Sequence, residues 1–487
     1  MKLQAWQGFL ILSILCVKLP LLIIYGPTLA PDSGGYVSYA QGLLTGHQPD
    51  LGVPNNSDSM VFRAVGYPAL IAGSRFLVGA AWPWLVVAVQ SALSLIAAVL
   101  IAQILHRLTG RVLWAAAGSL AYALSLPLVL DQMILTDSIA GSCLTIVACL
   151  LAQRILTGRR LTLVAALGIG LVLVVAFLVR EATLYFAGLG ILPLAFAAAF
   201  ADRLPLRRIS ELRPQIWRCG FIAFAVILPM LCGVHIYRMW NQARFGIPFV
   251  TTAGQTTMLY AMMKVGPKHR EVFDRRYLFD RIAADTLDAY TFNEVWEVNR
   301  RLYAEYGMTS DQIATAGYDA YFRAWKREPL LMLRIPLYHL RVVFMRSWLQ
   351  PLPSVLLLHV WATKQDGQIS LWQGIIAGKW NLLPLYLPEL ACRAIAVLVF
   401  LVFLFGAPWR LWREGFTPVA STGIGLWILF VAFYAGYAMV HLEERYLAGV
   451  VVSVTVVGLA NTIDLWRWFL ARRRRLAAVK EAGGNAG

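Results

Sequence analysis

Asp32 is the first acid of the chain, in Pro31-Asp32-Ser33-Gly34-Gly35-Tyr36, directly after a long apolar segment. Pro31, Gly34 and Gly35 favour a turn there. Tyr36, Tyr39, Ala40, Leu43 and Leu44 then recur at helical spacing, as a short helix lying along a membrane surface would place them. An acid held at a lipid–water boundary by aromatic anchors suits chemistry on a lipid-borne substrate. The plainer reading is an N-cap, with the Asp32 side chain accepting from the first helical amides. Three further groups stand at the ends of apolar runs, where desolvating an ionisable side chain is costly. Asp137 follows Leu135-Thr136, and its plainer reading is again a cap. Arg180 and Glu181 sit between two apolar runs with almost no loop; they either pair with each other at a tight hairpin or serve a ligand. His441, Glu443, Glu444 and Arg445 fill one turn before Tyr446, more ionisable groups than solubility needs.

Other chemistries leave no trace. The seven histidines, at positions 47, 106, 235, 269, 339, 359 and 441, show no His-x-x-x-His or Glu-x-x-His pairing, so no metal signature is present. Neither a Walker loop nor a dinucleotide glycine pattern occurs, which argues against ATP and nicotinamide cofactors. A serine-hydrolase elbow is absent too.

The elements that must position these groups are membrane spans. Of 487 residues, 59% are hydrophobic and 14% charged, with a mean hydropathy of +0.64. No soluble fold of this length needs so much apolar surface. The net charge of +17 lies largely in short clusters between apolar runs, as orientation signals do, rather than in a nucleic-acid-binding patch. The six cysteines, at 16, 143, 149, 219, 232 and 392, lack framework spacing and read as packing residues. Residues 6–29 read as a first span rather than a cleaved leader, because Lys18 and Pro20 interrupt them and Pro31 would follow the cut. Residues 67–79 are short for a crossing and belong at the interface or dip into it. Spans are expected at 82–105, 112–131, 134–153, 161–180, 182–201, 219–239, 388–409, 418–440 and 446–466. Arginine-rich loops at 106–111, 154–160, 203–218 and 410–413 and the 472–475 tail share one side only if both termini are cytoplasmic. Asp32, Asp131, Asp137, Arg180, Glu181 and the 441–445 turn then face the other side. The count closes at ten or twelve spans, depending on 330–387.

Four regions follow: a transmembrane module over 1–239 that includes the first loop, 30–66; a mainly helical extracytoplasmic insertion over 240–329; a second transmembrane module over 330–466; and a basic cytoplasmic tail over 467–487, disordered from 472. Within the insertion, acidic and basic residues nearly balance. A helix is expected at 309–327, starting at Ser310-Asp311 and stopped by Pro329. Residues 330–348 set Arg334, His339, Arg341 and Arg346 among apolar residues. Such a basic amphipathic helix either lies on phospholipid headgroups or docks an anionic lipid carrier.

Taken in order, these pieces resemble the GT-C glycosyltransferases, a family that takes sugars from polyprenyl phosphates. Asp32-Ser33…Tyr36…Ala40…Leu43…Gly46 is similar to its first-loop signature. Arg63…Gly66-Tyr67-Pro68 resembles Arg-x-Pro-Gly-Tyr-Pro without the first proline, and Gln90 fits a recurrent Gln. Thr136-Asp137-Ser138 resembles a Thr-Glu step with Asp for Glu, and Arg180-Glu181 resembles Arg-Pro-Glu without the proline. Glu444-Arg445-Tyr446-Leu447 resembles Glu-Arg-Tyr-Leu, lacking a later proline. The likeness is clearest over 1–200 and 430–460.

The resemblance implies an all-α polytopic bundle of about ten to twelve transmembrane helices, in the inner (cytoplasmic) membrane, with its active site on the extracytoplasmic face. It implies an inverting transfer of a hexosyl or pentosyl group from a polyprenyl-phosphate carrier to a hydroxyl of a cell-envelope glycan, lipid or protein acceptor. Asp32 is then the general base, taking the acceptor's proton. Arg445, Arg63 and Arg180, supported by His441, are placed to meet the growing charge on the leaving phosphate. Tyr67, Asp137, Glu181, Glu444 and Tyr446 join them as substrate-binding candidates. Metal dependence varies across that family, so a divalent metal stays open. Membrane lipids are partners and nucleic acid is not. The rival is a lipid or solute transporter or flippase, which tends to carry mid-membrane ionisable groups and repeated halves.

Overall fold

The computed structural model describes residues 4–30, 32–46, 62–206, 215–246, 248–265, 270–288, 292–345, 380 and 383–484. Apolar runs of this kind must satisfy their own backbone groups away from water, and helices do so within one segment. The described residues are helical almost throughout and form no strand, only the isolated bridges Thr28–Met133 and Leu206–Phe416. The helices are α1 (Ala5–Tyr25), α2 (Ser33–Thr45), α3 (Gly66–Val78), α4 (Trp82–Thr109), α5 (Val112–Ala123), α6 (Leu126–Leu130), α7 (Thr136–Leu156), α8 (Leu163–Val179) and α9 (Thr183–Ala199). After them come α10 (Ile216–Phe245), α11 (Ala253–Met263), α12 (Leu278–Thr286), α13 (Phe292–Tyr306), α14 (Ser310–Arg327), α15 (Arg334–Met345), α16 (Leu383–Glu414), α17 (Pro418–Val440) and α18 (Leu459–Gly484).

Among the described residues six helices are long and apolar enough to cross a membrane: α1, α3 continued into α4, α7, α10, the Ala394–Glu414 part of α16, and α17. Helices α5, α8 and the Gly188–Ala199 part of α9 are apolar but shorter. The chain is thus built as a membrane-embedded, polytopic helical protein. Residues 346–379, on which the choice between ten and twelve spans turns, lie outside the described residues.

The structure corrects three expectations. Residues 112–131 are not one continuous helix: α5 ends at Ala123, and α6 restarts at Leu126 with Pro127 in its first turn. Proline has no amide to donate, and in a continuous helix the Pro127 ring would clash with the carbonyl four residues back, at Ala123, so the first helix ends there. The tail is not disordered from residue 472, since α18 runs to Gly484. Leu476, Ala477, Ala478 and Lys480 are strong helix formers, and they extend a helix already nucleated upstream. The 330–348 strip does not simply lie on the surface. His339 is fully buried in α15, its Nδ1 at 2.7 Å from the Ala438 carbonyl of α17.

A large core joins α4, α5, α7, α8, α9, α10 and α17, with α8 against α10 and α9 against α17 as its broadest contacts. A second core, running from Leu259 to Ile335, belongs to α11–α15. This unit sits on the C-terminal end of α17. Tyr321 of α14 and His339 of α15 bond the carbonyls of Met439 and Ala438 there. Helix α14 starts at Ser310 as expected, with Thr309 as its cap and the Gln312 side chain reaching back to the Thr309 amide at 3.0 Å.

Inside the bundle, Lys18 of α1 is buried and bonds both Asp131 and Ser94, the latter at 2.8 Å. Ser138 donates to the other oxygen of Asp131 at 2.6 Å. Gln90 of α4 caps the same turn by donating to the carbonyls of Asp131 and Met133 at 2.8 and 2.9 Å, and accepts from the Tyr67 hydroxyl at 2.7 Å. Removing one member of a buried ion pair strands the other. Lys18→Met is therefore expected to cost about 3–5 kcal/mol of stability, while Lys18→Met with Asp131→Asn recovers most of it. Thermal unfolding in detergent checks this. A double variant that loses the sum of the two single losses would show that the pair is not coupled.

Candidate functional site

The ends of four elements meet at one end of the bundle: the start of α2, the start of α7, the end of α8, and the turn after α17. A short backbone bridge organises the first two. Thr28 accepts from Ile134 at 2.9 Å and donates to Gln132 at 2.8 Å, while Ser33 donates to the Ile134 carbonyl at 2.8 Å. Asp32 is thereby set beside Asp137 and its helix.

Asp32 stands at the N-cap position of α2, yet its carboxylate makes no bond to that helix's amides. The capping reading is overturned. Instead Oδ2 accepts from Arg445 Nη2 at 2.7 Å and Oδ1 from Arg63 Nη2 at 3.3 Å. Two glycines make room for the second contact. A Cβ on Gly35 would lie 3.1 Å from Arg63 Nε, and a Cβ on Gly66 would lie 2.6 Å from the backbone of Leu178. Only glycine at 66 lets α3 close on the end of α8 with Arg63 turned inward. Arg63 also donates to the Tyr36 hydroxyl at 2.8 Å, with its guanidinium centred 4.3 Å from that ring.

Arg180 does not pair with its neighbour Glu181 as a hairpin would have it; its Nη1 donates to Asp137 at 2.6 Å and to Thr136 Oγ1 at 3.2 Å. Its Nε reaches the Tyr437 hydroxyl at 3.3 Å, and its plane lies 4.2 Å from the Tyr446 ring. Asp137 therefore lies inside the first turn of α7, paired rather than capping. Glu181 is half-buried, and its charge bears on Arg63. Arg445 donates through Nε to Glu443 Oε2 at 2.6 Å, and Glu443 Oε1 lies 2.8 Å from His441 Nε2. Both ring nitrogens of His441 are committed, Nδ1 lying 2.9 Å from Lys264 Nζ. Tyr67 stands one layer back, fully buried, its ring edge on Tyr36 at 5.2 Å between centroids. Glu444 lies on the 3-10 turn Glu444–Gly449, its side chain outside the described residues.

Accessibility separates the three paired acids. The side chains of Asp32 and Glu443 are 35% and 39% exposed and that of Asp137 is 2% exposed, so Asp32 and Glu443 can meet an incoming group and Asp137 cannot. Glu443 has one oxygen on His441 and the other on Arg445 within its own turn. Burial alone would raise the Asp32 pKa, but the guanidiniums of Arg63 and Arg445 outweigh it and hold the carboxyl below its usual range. Burial acts the same way on Glu443, and the His441 hydrogen bond with the Arg445 charge brings it down to about 2. Both folded values lie below the unfolded ones. The stability these groups contribute is therefore complete above the ordinary carboxylate range and is lost only as pH falls through the folded values.

A small half-open cleft, with room for about one water molecule, adjoins the cluster beside Asp137 and Arg445. Asp137, Arg180, Arg445, Tyr437 and Tyr446 form its polar wall, and Leu144, Phe433 and Ala140 form its apolar one.

The chain matches no protein-family model, no curated protein and no solved structure. What it can do must be read from the geometry itself.

Among the described residues no three His, Cys, Asp or Glu side chains gather as a bound metal would need. Asp32, Asp137 and Glu443 are each paired with an arginine. Lys264 was invisible as a site residue in the sequence: it follows the apolar run Met258-Leu259-Tyr260-Ala261-Met262-Met263 inside a charge-balanced insertion, and only that isolation marks it.

Proposed function

We propose that this protein is a polytopic GT-C-type glycosyltransferase that moves a sugar from a polyprenyl-phosphate carrier to an extracytoplasmic hydroxyl. The observation that carries the reading is Asp32, a part-exposed carboxylate held between guanidiniums from two distant segments. The acceptor oxygen attacks the anomeric carbon while the bond from that carbon to the phosphate oxygen breaks, inverting the centre. The acceptor proton passes to Asp32, and the carrier leaves as its phosphate with the bonding electrons. Charge on that phosphate grows along the way, so cations fixed beforehand at Arg445 and Arg63, with Arg180 behind them, favour the transition state over the ground state. A phosphate drawn between Arg445 and Arg63 also shares their charge. Asp32 is then held less firmly as an anion, and its proton affinity rises toward that of a working base.

Full-length protein in lipid nanodiscs, given an undecaprenyl-phosphate sugar and a cell-envelope extract as acceptor, should release free undecaprenyl phosphate in step with sugar transfer. Release without transfer, or neither, counts against the reading. One observation favours a transporter or flippase instead: the buried Lys18–Asp131 pair is an ionisable pair inside the bundle. Its hydrogen bonds to Ser94 and Ser138 make it a satisfied structural pair.

The proposed face also makes a prediction about sidedness. With the 106–111, 154–160 and 410–413 loops cytoplasmic, Asp285 of α12 lies outside. Asp285→Cys, in a background without the six native cysteines, should react with an impermeant thiol reagent in intact cells once any outer envelope is opened. Labelling only after the inner membrane is permeabilised would invert the arrangement.

A further inference from the structure

We propose that Lys264 and His339 are positioning residues of this site, holding Arg445 on Asp32 through His441 and Glu443; the reaction they serve rests on the reading above. Lys264 follows the last residue of α11 and is part-buried. Its ammonium lies 2.7 Å from His339 Nε2 and 2.9 Å from His441 Nδ1, with the rings of Tyr260 and Tyr338 at 4.9 and 5.1 Å. An ammonium only donates, so both of those ring nitrogens must accept.

The tautomers follow. His339 carries its proton on Nδ1 and gives it to the Ala438 carbonyl, while its Nε2 also accepts from the Leu442 amide at 3.3 Å. His441 carries its proton on Nε2 and gives it to Glu443 Oε1. Glu443 Oε2 then takes Arg445 Nε, which leaves Arg445 Nη2 aimed at Asp32. Each bond fixes the direction of the next, from the α11–α15 unit to the candidate base.

The groups facing this relay are Tyr260 from α11, Tyr338 and His339 from α15, and His441, Glu443, Arg445 and Tyr446 from the turn after α17. Burial brings Lys264 down to about 8. Burial and the Lys264 charge together bring His339 to about 4 and move His441 below its ordinary value as well. Removing the ammonium therefore raises the pKa of both imidazoles. Without it nothing holds Nδ1 as an acceptor, so a neutral His441 can carry its proton there and lose the Nε2–H that orients Glu443, whereas a protonated His441 keeps that bond.

The test uses the full chain, ring-¹⁵N-labelled at histidine, in lipid nanodiscs. Histidine ¹⁵N shifts and transfer from an undecaprenyl-phosphate sugar are followed from pH 5 to 7.5. His441 in the wild type should be neutral and Nε2-protonated near pH 7. Lys264→Met should move its titration to higher pH, populate the Nδ1-protonated neutral tautomer above it, and lower kcat there about 10- to 100-fold, as loss of an outer hydrogen-bond partner typically does. Lys264→Arg should reverse most of these changes. A Lys264→Met protein with unchanged His441 shifts, or with the tautomer changed and kcat intact, would overturn the proposal. If Lys264→Met does not fold, His339→Gln, which removes the other acceptor of the ammonium, carries the same readouts. If the shifts behave as stated but the wild type transfers no sugar, the relay stands and the glycosyl-transfer reading falls.

Discussion

Asp32→Asn is expected to lower turnover by on the order of 100- to 10,000-fold, the usual contribution of a positioned general base. Asn keeps the side-chain shape and one acceptor oxygen, so one of Arg445 and Arg63 retains its partner while the other faces an amide NH2, and the proton acceptor is gone. Folding should survive, because the residue is part-exposed and makes no cap to α2. The two Michaelis constants provide a sharper signature than the rate alone. Neutralising Asp32 frees positive charge for the carrier phosphate, so the donor KM should hold or fall while kcat collapses. If the variant keeps more than a tenth of the activity, Asp32 is a binding residue. If kcat and yield fall together, its role is structural.

Arg445→Ala should be comparably severe, on the order of 100- to 1,000-fold in kcat, the usual effect of removing a preset donor to developing negative charge. Arg445 joins Glu443 through Nε and Asp32 through Nη2, a spread that only a planar fork spans. Lys keeps the charge and can keep one of those bonds, so Arg445→Lys should impair turnover partially. The donor KM should also rise, because the phosphate is bound before the bond breaks. At saturating donor the acceptor KM should hardly move. An intact kcat, or a change confined to the acceptor KM, would shift the phosphate role to Arg63 or Arg180. Each variant needs its thermal transition measured, since Asp32 and Glu443 lose a counter-charge in Arg445→Ala.

Apolar length made most of the helices legible, because a span announces itself within its own residues. The break at Leu124-Ser125 was legible too, in Pro127, but an average over hydropathy smooths across a single proline. The pairings were another matter. Arg180 finds Asp137 across 43 residues and Arg445 finds Asp32 across 413. Nothing local in Arg180-Glu181 tells whether the pair faces itself or a distant helix. Spacing could place Asp32, Asp137, Arg180 and Arg445 at helix ends, but only packing could say that they share one end. Lys264 illustrates the limit. Its role comes from two imidazoles, one 75 and one 177 residues away, and neither leaves a mark on its own stretch. His339 misled for the opposite reason. Its surroundings are amphipathic, and the turn that buries it against Ala438 is set by where the α11–α15 unit docks.

The most direct measurement compares the cell-surface glycans of a strain lacking this protein with those of its parent by mass spectrometry, restoring the gene as wild type or as Asp32→Asn. A glycosyltransferase acting from a lipid-phosphate sugar predicts the loss of one sugar at one acceptor, restored by the wild type and not by Asp32→Asn. Identical glycans in the deletion strain and its parent, or full restoration by Asp32→Asn, would contradict it.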